Sequence, residues 1–192
     1  MSAGARPAVF LDRDGTLNAD TGYPSRPEDV VLIEGAADAV ARLNAAGLPV
    51  VVVSNQSGIG RGYLTSDDYE RVRRRLEELL AAAGAHVDAT YICPHAPGDP
   101  PCECRKPGTL LFRRAAADLA LDLARSWYIG DRWRDVSPAL ELGGHPLLVP
   151  SPATPPADLE RAAERGVVAG SLGAAVGIVL DGRGAGREAR GA

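Results

Sequence analysis

The sequence predicts an α/β fold built on a doubly wound, mostly parallel sheet. Short apolar segments rich in β-branched residues alternate with amphipathic segments of ten or more residues, which is the pattern of βαβ units. The apolar segments are continuous rather than alternating, as expected of strands that are covered on both faces. Polar clusters follow several of these strands directly. Because ligands bind outside the carboxyl ends of the strands in such sheets, we expect the functional site there.

Each predicted element has a local signal. The helix before Gly47 ends at a residue type that favours a helix C-terminus. Thr65 begins a Thr-x-x-Asp cap, and the helix that follows it ends at Gly84. In chain order, we predict a strand over 8–12, a helix over 36–46, a strand over 48–54, a helix from 65 to 84, a strand over 87–92, a helix over 109–121, a strand over 127–130, a helix over 134–142 and a strand over 145–149.

Composition and charge indicate a globular protein of 192 residues, of which 45% are hydrophobic and 24% are charged. We expect a single domain over residues 1–180 and a disordered, Gly- and Arg-rich tail over residues 181–192. The net charge of −4 argues against a nucleic-acid partner but allows a small anionic ligand held by local Lys and Arg residues. The chain has no signal-peptide pattern and no segment near the roughly 20 apolar residues that span a bilayer. We therefore expect a cytoplasmic location without membrane contact. We also expect a monomer.

Acidic residues follow two of the predicted strands. Asp12 ends the first strand, and Asp14 lies two residues further along. Asp131 and Asp135 follow the fourth strand in the same way. Such pairs taken singly are common as turn and cap residues, but together they would place up to four carboxylates at one edge of the sheet. This arrangement is unfavourable unless a divalent cation and a lysine, for which Lys106 is the candidate, neutralise it. Hard oxygen ligands favour magnesium.

Four short motifs occur in a fixed order: DRDGTL at 12–17, SNQ at 54–56, RKP at 105–107 and GDRWRD at 130–135. The set resembles the four motifs of the haloacid dehalogenase superfamily of phosphohydrolases, over residues from about 8 to 150. The resemblance implies a Rossmann-like sheet of the haloacid dehalogenase type without a large cap domain. It also implies a magnesium-dependent phosphatase that works through an aspartyl-phosphate.

The same resemblance assigns a role to each motif. It makes Asp12 the nucleophile and Asp14 the general acid and base. Magnesium would be bound by Asp12, by Asp131 and by the main-chain carbonyl of Asp14, while Asp135 supports this site or orients Lys106. Phosphoryl transfer depends mainly on such positioning and charge neutralisation. The candidate phosphate- and substrate-binding residues are Ser54, Asn55, Lys106, Arg61 and Arg105.

A cluster of soft and borderline metal ligands precedes the third motif. Cys93, His95, Cys102 and Cys104 form the pattern C-x-H-x6-C-x-C. The three cysteines are odd in number and bunched, unlike a secreted disulfide framework. Thiolates and an imidazole suit tetrahedral zinc, and four protein ligands leave no open position for catalysis. The alternative is a set of unrelated cysteines and a surface histidine. We expect a structural zinc that fixes the loop carrying Lys106.

Two groups of phosphatases within the superfamily have motifs similar to SNQSGIGRGY and to the cysteine cluster with RKP. One removes the 7-phosphate of D-glycero-D-manno-heptose 1,7-bisphosphate, and the other acts on histidinol phosphate. The loop from Asp20 to Tyr23 resembles the substrate loop of the first group, and Arg61 and Arg105 suit a second phosphate, so a sugar bisphosphate is the predicted substrate. The short cysteine loop and Arg132 after Asp131 resemble the second group. The motif R-K-P-x-P-G of the resemblance is contracted here to RKPG, which affects the placement of Lys106 and the helix after it. A zinc-stabilised binding module without catalysis is the third possibility.

Overall fold

The computed structural model describes residues 4–98 and 102–188, and the fold is built on a five-stranded sheet. The strand order is β3-β2-β1-β4-β5, and every neighbouring pair is parallel. The strand that carries the first acidic motif is therefore central. The predicted α/β class with a doubly wound parallel sheet is confirmed. The strands are β1 Val9–Leu11, β2 Val50–Asn55, β3 Ala89–Cys93, β4 Trp127–Gly130 and β5 His145–Leu148.

Helices connect the strands and cover both faces of the sheet. Short 3-10 helices lie at Pro27–Asp29 and Leu123–Arg125. None of the helices in the described part of the chain is long and apolar enough to cross a lipid bilayer. The α-helices are α1 Ala36–Ala45, α2 Ser57–Gly60, α3 Ser66–Ala82, α4 Leu110–Leu119, α5 Trp133–Val136, α6 Pro138–Leu142, α7 Pro156–Ala163 and α8 Leu172–Glu188.

The two faces of β1 pack into different clusters because successive side chains of a strand point to opposite sides. Val9 and Leu11 belong to the cluster formed with α1, α3 and α8. Phe10 belongs to the cluster on the other face, where its ring stacks on Tyr128 with centroids 5.0 Å apart and meets Phe112 edge-on at 5.2 Å. Burial on both faces explains why the strand sequences are continuously apolar.

Several helices differ from the predicted secondary structure. The helix predicted over 134–142 is divided into α5 and α6, since Pro138 has no amide hydrogen to continue the first helix. The helices α2, α7 and α8 were not predicted. Helix α8 continues past Asp181, where the tail was expected, to Glu188, and its side chains Val176 and Val179 are buried in the core. Residues 189–192 of the predicted tail lie outside the described residues.

The sheet brings the four motifs to one edge. Leu11, the last residue of β1, pairs with Val52 on one side and with Ile129 on the other. The residues that follow these three strands therefore lie beside one another at the carboxyl edge. The next strand along, β3, ends at Cys93, so the cysteine cluster begins at the same edge.

Candidate active site

Asp12 lies at the centre of the carboxyl edge, directly after β1. Its amide donates to the carbonyl of Ile129 in β4 (2.9 Å), and only 8% of its side chain is exposed. The ammonium Nζ of Lys106 lies 2.7 Å from Asp12 Oδ1 and 2.8 Å from Asp135 Oδ1, and 1% of its side chain is exposed. Lys106 thus bridges the carboxylates that follow β1 and β4.

Burial and the neighbouring charges shift the pKa values of the acids and of Lys106 in this cluster. Burial raises the pKa of Asp12 to about 6, although the charge of Lys106 opposes the shift. Burial also raises the pKa of Asp131, against the hydrogen bond from Ser151. For Lys106, burial lowers the pKa, but the charges of Asp12 and Asp135 outweigh it, so that the pKa lies above its ordinary value. The lysine is therefore a permanent cation within the site.

Asp131 follows β4 and is held by a turn that follows β5. Ser151 Oγ donates to Asp131 Oδ2 (2.6 Å), and Thr154 Oγ1 donates to the main-chain carbonyl of Asp131 (2.7 Å). Sequence reasoning missed both hydroxyl residues. The signal was present, because they too are polar residues that come just after a predicted strand.

The carboxylates of this edge form a set of hard donors for a metal ion. One oxygen of each of Asp12, Asp131 and Asp135 lies within 4.8 Å of the others. All three residues are buried together with Lys106, whereas Arg132 and Arg134 approach Asp131 and Asp135 from the partly exposed rim, at 3.4 Å and 3.9 Å. An excess of buried negative charge with oxygen ligands fits a divalent cation such as magnesium.

Asp14 lies in the turn after Asp12, and its carboxylate accepts four hydrogen bonds. Two come from Arg13, as Nε donates to Oδ1 (3.0 Å) and Nη2 donates to Oδ2 (2.8 Å). The others come from Asn18 Nδ2 to Oδ1 (3.0 Å) and from Gln56 Nε2 to Oδ2 (2.9 Å). Burial alone would raise the pKa of Asp14, but the charge and hydrogen bonds of Arg13 outweigh it and hold the pKa below its ordinary value. Sequence reasoning missed Arg13 and Gln56, which lie inside two of the motifs.

The two polar residues at the end of β2 make different contacts. Ser54 lines a pocket over Asp12, and its hydroxyl accepts a hydrogen bond from Gln56 Nε2 (2.8 Å). Asn55, predicted to bind phosphate or substrate, also lines the pocket, but its amide group is engaged by Lys106. Asn55 Nδ2 donates to the carbonyl of Lys106 (3.1 Å), and Asn55 Oδ1 accepts from the amide of Lys106 (2.9 Å).

A pocket of about 310 Å³ opens over Asp12. Its volume is within the range of small-molecule sites, roughly 300–1,000 Å³. Besides the acids, it is lined by Asp20 and Tyr23 of the loop after β1. The pocket also has four cationic side chains, of which the sequence predicted the first two: Arg61, Arg105, Arg132 and Arg134.

The four predicted zinc ligands converge beside the third motif. The separations of their ligand atoms include 2.9 Å from His95 Nδ1 to Cys102 Sγ, 3.0 Å from Cys102 Sγ to Cys104 Sγ and 3.4 Å from Cys93 Sγ to Cys102 Sγ. A tetrahedral zinc with Zn–S bonds of about 2.3 Å has ligand separations of roughly 3.7 Å, so this cluster is slightly more compact than a zinc-bound one. The three cysteines are unbridged, so the donor set fits a zinc ion. Residues 99–101, between these ligands, lie outside the described residues.

Two family models match the chain. One, described as polynucleotide kinase 3 phosphatase, matches residues 9–136. The other, described as HAD-hydrolase-like, matches residues 103–175. The first begins with β1 and ends with α5, so it contains all four motifs. The second runs from the end of the cysteine cluster into the first turn of α8.

Curated relatives and a solved structure agree with these matches. The chain is 46% identical over 154 residues, 75% of this chain and 79% of the relative, to D-glycero-D-manno-heptose-1,7-bisphosphate 7-phosphatase of Thermosynechococcus vestitus. It is 38% identical over 161 residues, 79% of this chain and 85% of the relative, to D-glycero-beta-D-manno-heptose-1,7-bisphosphate 7-phosphatase of Escherichia coli O6:H1. The crystal structure of D,D-heptose 1,7-bisphosphate phosphatase from B. bronchiseptica, complexed with magnesium and phosphate, superposes with a TM-score of 0.81 at 32% identity, covering 91% of this chain and 98% of that one.

Proposed function

This chain belongs to the haloacid dehalogenase-like phosphatases, and from that premise we propose that it removes the 7-phosphate of D-glycero-D-manno-heptose 1,7-bisphosphate, with magnesium as its catalytic metal. The proposal for the substrate is supported by the names of the relatives and by one feature of the pocket. Two of its arginines, Arg61 and Arg105, pair with no carboxylate within the described residues, so they are available to a second anionic group.

The other two arginines of the pocket form ion pairs with carboxylates. Arg132 Nη2 lies 3.6 Å from Asp20 Oδ2, and Arg132 Nε lies 3.4 Å from Asp131 Oδ2. Arg134 Nε lies 3.9 Å from Asp135 Oδ1. Arg105 instead donates to the carbonyl of His95 (3.3 Å), which holds its guanidinium beside the cysteine cluster. A guanidinium without an acidic partner is the preferred ligand for a phosphate group, because it can form two parallel hydrogen bonds.

The first half of the proposed reaction transfers the phosphoryl group to Asp12. A carboxylate oxygen of Asp12 attacks phosphorus while the bond from phosphorus to the sugar oxygen breaks, and an aspartyl-phosphate results. Lys106 neutralises charge on the transferring group, and Ser54 donates a hydrogen bond to one of its oxygens. Because the lowered pKa of Asp14 leaves it ionised in the free site, Asp14 takes up the proton that the monoanionic phosphate ester brings. It then gives this proton to the departing sugar oxygen, which leaves as the alcohol.

The second half returns the enzyme to its starting state. Asp14, now a carboxylate, takes a proton from water, and the hydroxide formed attacks phosphorus and releases inorganic phosphate from Asp12. Magnesium would be held by Asp12, Asp131 and the Asp14 carbonyl, and when bound it supplies positive charge that stabilises the phosphoryl oxygens. Zinc would be held by the cysteine cluster as a structural ion.

Steady-state kinetics with magnesium test the substrate. We expect kcat/KM for the heptose 1,7-bisphosphate to exceed that for the heptose 7-phosphate at least tenfold, and the Arg61→Gln, Arg105→Gln double variant to lose this preference. Turnover of p-nitrophenyl phosphate by the double variant should change little, since that ester has no second phosphate. Asp12→Asn should abolish turnover of every ester. Equal turnover of the mono- and bisphosphate by the wild type would overturn the proposed substrate.

Histidinol phosphate is the second candidate, and one observation favours it. Asp20 and Tyr23 give the pocket an acidic and an aromatic wall, which suit an ammonium and an imidazole. However, Arg132 already neutralises Asp20 at 3.6 Å. Including histidinol phosphate in the same assay separates the candidates, because that substrate has no second phosphate to engage Arg61 and Arg105.

Other expectations from the sequence stay predictions. They are a single domain over residues 1–180, a monomeric state, a cytoplasmic location and the absence of nucleic-acid and membrane partners. The third possibility, a binding module without catalysis, is not favoured because the relatives are phosphatases and the chain retains the acids and the lysine of the motifs.

A further inference from the structure

We propose that Asn55 is a positioning residue, which fixes Lys106 against Asp12 by holding the main chain of Lys106. The inference rests on the proposed phosphatase mechanism and deepens it. It assigns Asn55 to the lysine and not, as the sequence suggested, to the phosphate or the substrate.

The first observation is the geometry of the contact. Asn55 Nδ2 donates to the carbonyl of Lys106 (3.1 Å), and Asn55 Oδ1 accepts from the amide of the same residue (2.9 Å). One side-chain amide therefore binds both main-chain polar groups of one residue. Because these two groups lie on either side of the Lys106 Cα, binding both of them fixes the direction in which the lysine side chain leaves the backbone.

The second observation is where the two residues come from. Asn55 ends β2, the strand between β1 and β3, and is paired with Cys93 of β3. Lys106 lies in the irregular segment between the cysteine cluster and α4. The rigid sheet thus holds a loop residue through Asn55. A residue that acts on a reacting group needs such support, since a displacement of about 1 Å can reduce a rate about 100-fold.

The third observation is the environment of the lysine side chain. Its ammonium is buried between Asp12 at 2.7 Å and Asp135 at 2.8 Å. This position leaves little room for the side chain to compensate for a shift of its backbone. A loss of the Asn55 contact should therefore move the Lys106 ammonium relative to the nucleophile, Asp12.

The chain has a matched control for this contact. Asn44 Nδ2 donates to the carbonyl of His86 (3.2 Å), and Asn44 Oδ1 accepts from the amide of His86 (2.9 Å). This is the same two-point contact, made between the end of α1 and the segment before β3. Neither residue lines the pocket over Asp12. Asn44→Ala thus removes an equivalent contact without touching the motifs.

The experiment measures kcat and KM for p-nitrophenyl phosphate with saturating magnesium, together with the Tm, for wild type, Asn55→Ala, Asn44→Ala, Lys106→Ala and the Asn55→Ala, Lys106→Ala double variant. We expect the Tm to fall in both asparagine variants, and more in Asn55→Ala, because the Asn55 contact is partly buried and the Asn44 contact is exposed. We expect kcat to fall 10- to 100-fold in Asn55→Ala and less than about twofold in Asn44→Ala. In the Lys106→Ala background, Asn55→Ala should cost less than about threefold, because residues that act through one another are not additive.

Two outcomes would overturn the inference. One is a raised KM with unchanged kcat in Asn55→Ala that persists in the Lys106→Ala background, which would make Asn55 a substrate contact. The other is equal kcat in the two asparagine variants. If Asn55→Ala does not fold, Asn55→Asp replaces it, since this variant retains the acceptor for the Lys106 amide. An inactive wild type would instead count against the proposed function itself.

Discussion

Arg13 and Asp14 are neighbours in the chain and form a two-point ion pair. The guanidinium donates from Nε to Asp14 Oδ1 (3.0 Å) and from Nη2 to Oδ2 (2.8 Å), while only 2% of the arginine side chain is exposed. The guanidinium carbon also lies 5.5 Å from the centre of the Tyr69 ring in α3. The residue between the two catalytic acids is thus buried and directed at one of them.

The loss of stability on substitution of Asp14 should depend on pH. Because the pKa of Asp14 is lowered in the fold, its ionised form contributes stability above the unfolded pKa of about 3.9, and this is lost as the pH falls through the lowered folded pKa. Without added magnesium, we expect Asp14→Asn to be less stable than wild type by roughly 2 kcal/mol at pH 7. Urea unfolding at several pH values measures the difference, which should shrink below about pH 4. A difference that grows on acidification would contradict the lowered pKa.

The two hydrogen bonds from Arg13 to Asp14 should matter more for activity than the charge of Arg13. Arg13→Lys retains the positive charge but cannot make two parallel hydrogen bonds to Asp14. We expect kcat for p-nitrophenyl phosphate to fall at least tenfold, because Asp14 loses its fixed orientation. Arg73→Lys is the control, since Arg73 pairs with Glu70 and Glu77 on the exposed face of α3. Equal activity of the two variants would show that charge alone suffices.

Gly15 should resist substitution because of the space around it. It has φ +82°, and a Cβ there would lie 2.7 Å from Asp131 Cγ. Gly35 has a similar φ of +77°, but a Cβ added to it would have no neighbouring atom within 4 Å. Both alanine variants carry backbone strain of about 1–3 kcal/mol. Only Gly15→Ala should also lose activity, by roughly 100-fold, since it displaces Asp131. Activity assays and Tm values of both variants separate the two effects.

Loss of zinc should affect substrate binding and stability more than chemistry. We expect Cys104→Ser to contain less than one zinc per chain by elemental analysis, and to have a lower Tm and a KM for the bisphosphate raised about tenfold. The kcat should change less, because Asp12 and Lys106 are also held by β1 and by Asn55. An unchanged Tm and KM in protein shown to lack zinc would contradict a structural role for the ion.

Much of the fold was predictable because its strands are buried on both faces. The segment from Trp127 to Gly130 was predicted with the bounds that the structure has, since it is a short apolar run that ends in an acid. Helix α8 was missed because its glycines, including Gly173 and Gly177, weaken the local helical signal. Its burial against α1 is a tertiary effect that local sequence does not contain.

The site was predictable wherever a motif brings its own acid or base to the edge of the sheet. The sequence singled out Asp12, Asp131 and Lys106, and the structure places them together. The sequence did not reveal which residue each polar side chain would bind. Asn55 follows Ser54 and has the same potential to bind phosphate, but its partner is a residue 51 positions away. Such pairings depend on loop conformation and become apparent only in three dimensions.

The turn after β5 is part of the candidate active site, so a functional chain must extend at least to this turn. Ser151 and Thr154 brace Asp131 from beyond the last of the four motifs. A shortened protein ending after α6 would preserve every signature residue, yet one of its acids would have lost the brace that orients it. Such a fragment would contain all four motifs, but the side chain and the carbonyl of Asp131 would lack the hydrogen bonds that hold them at the proposed metal site.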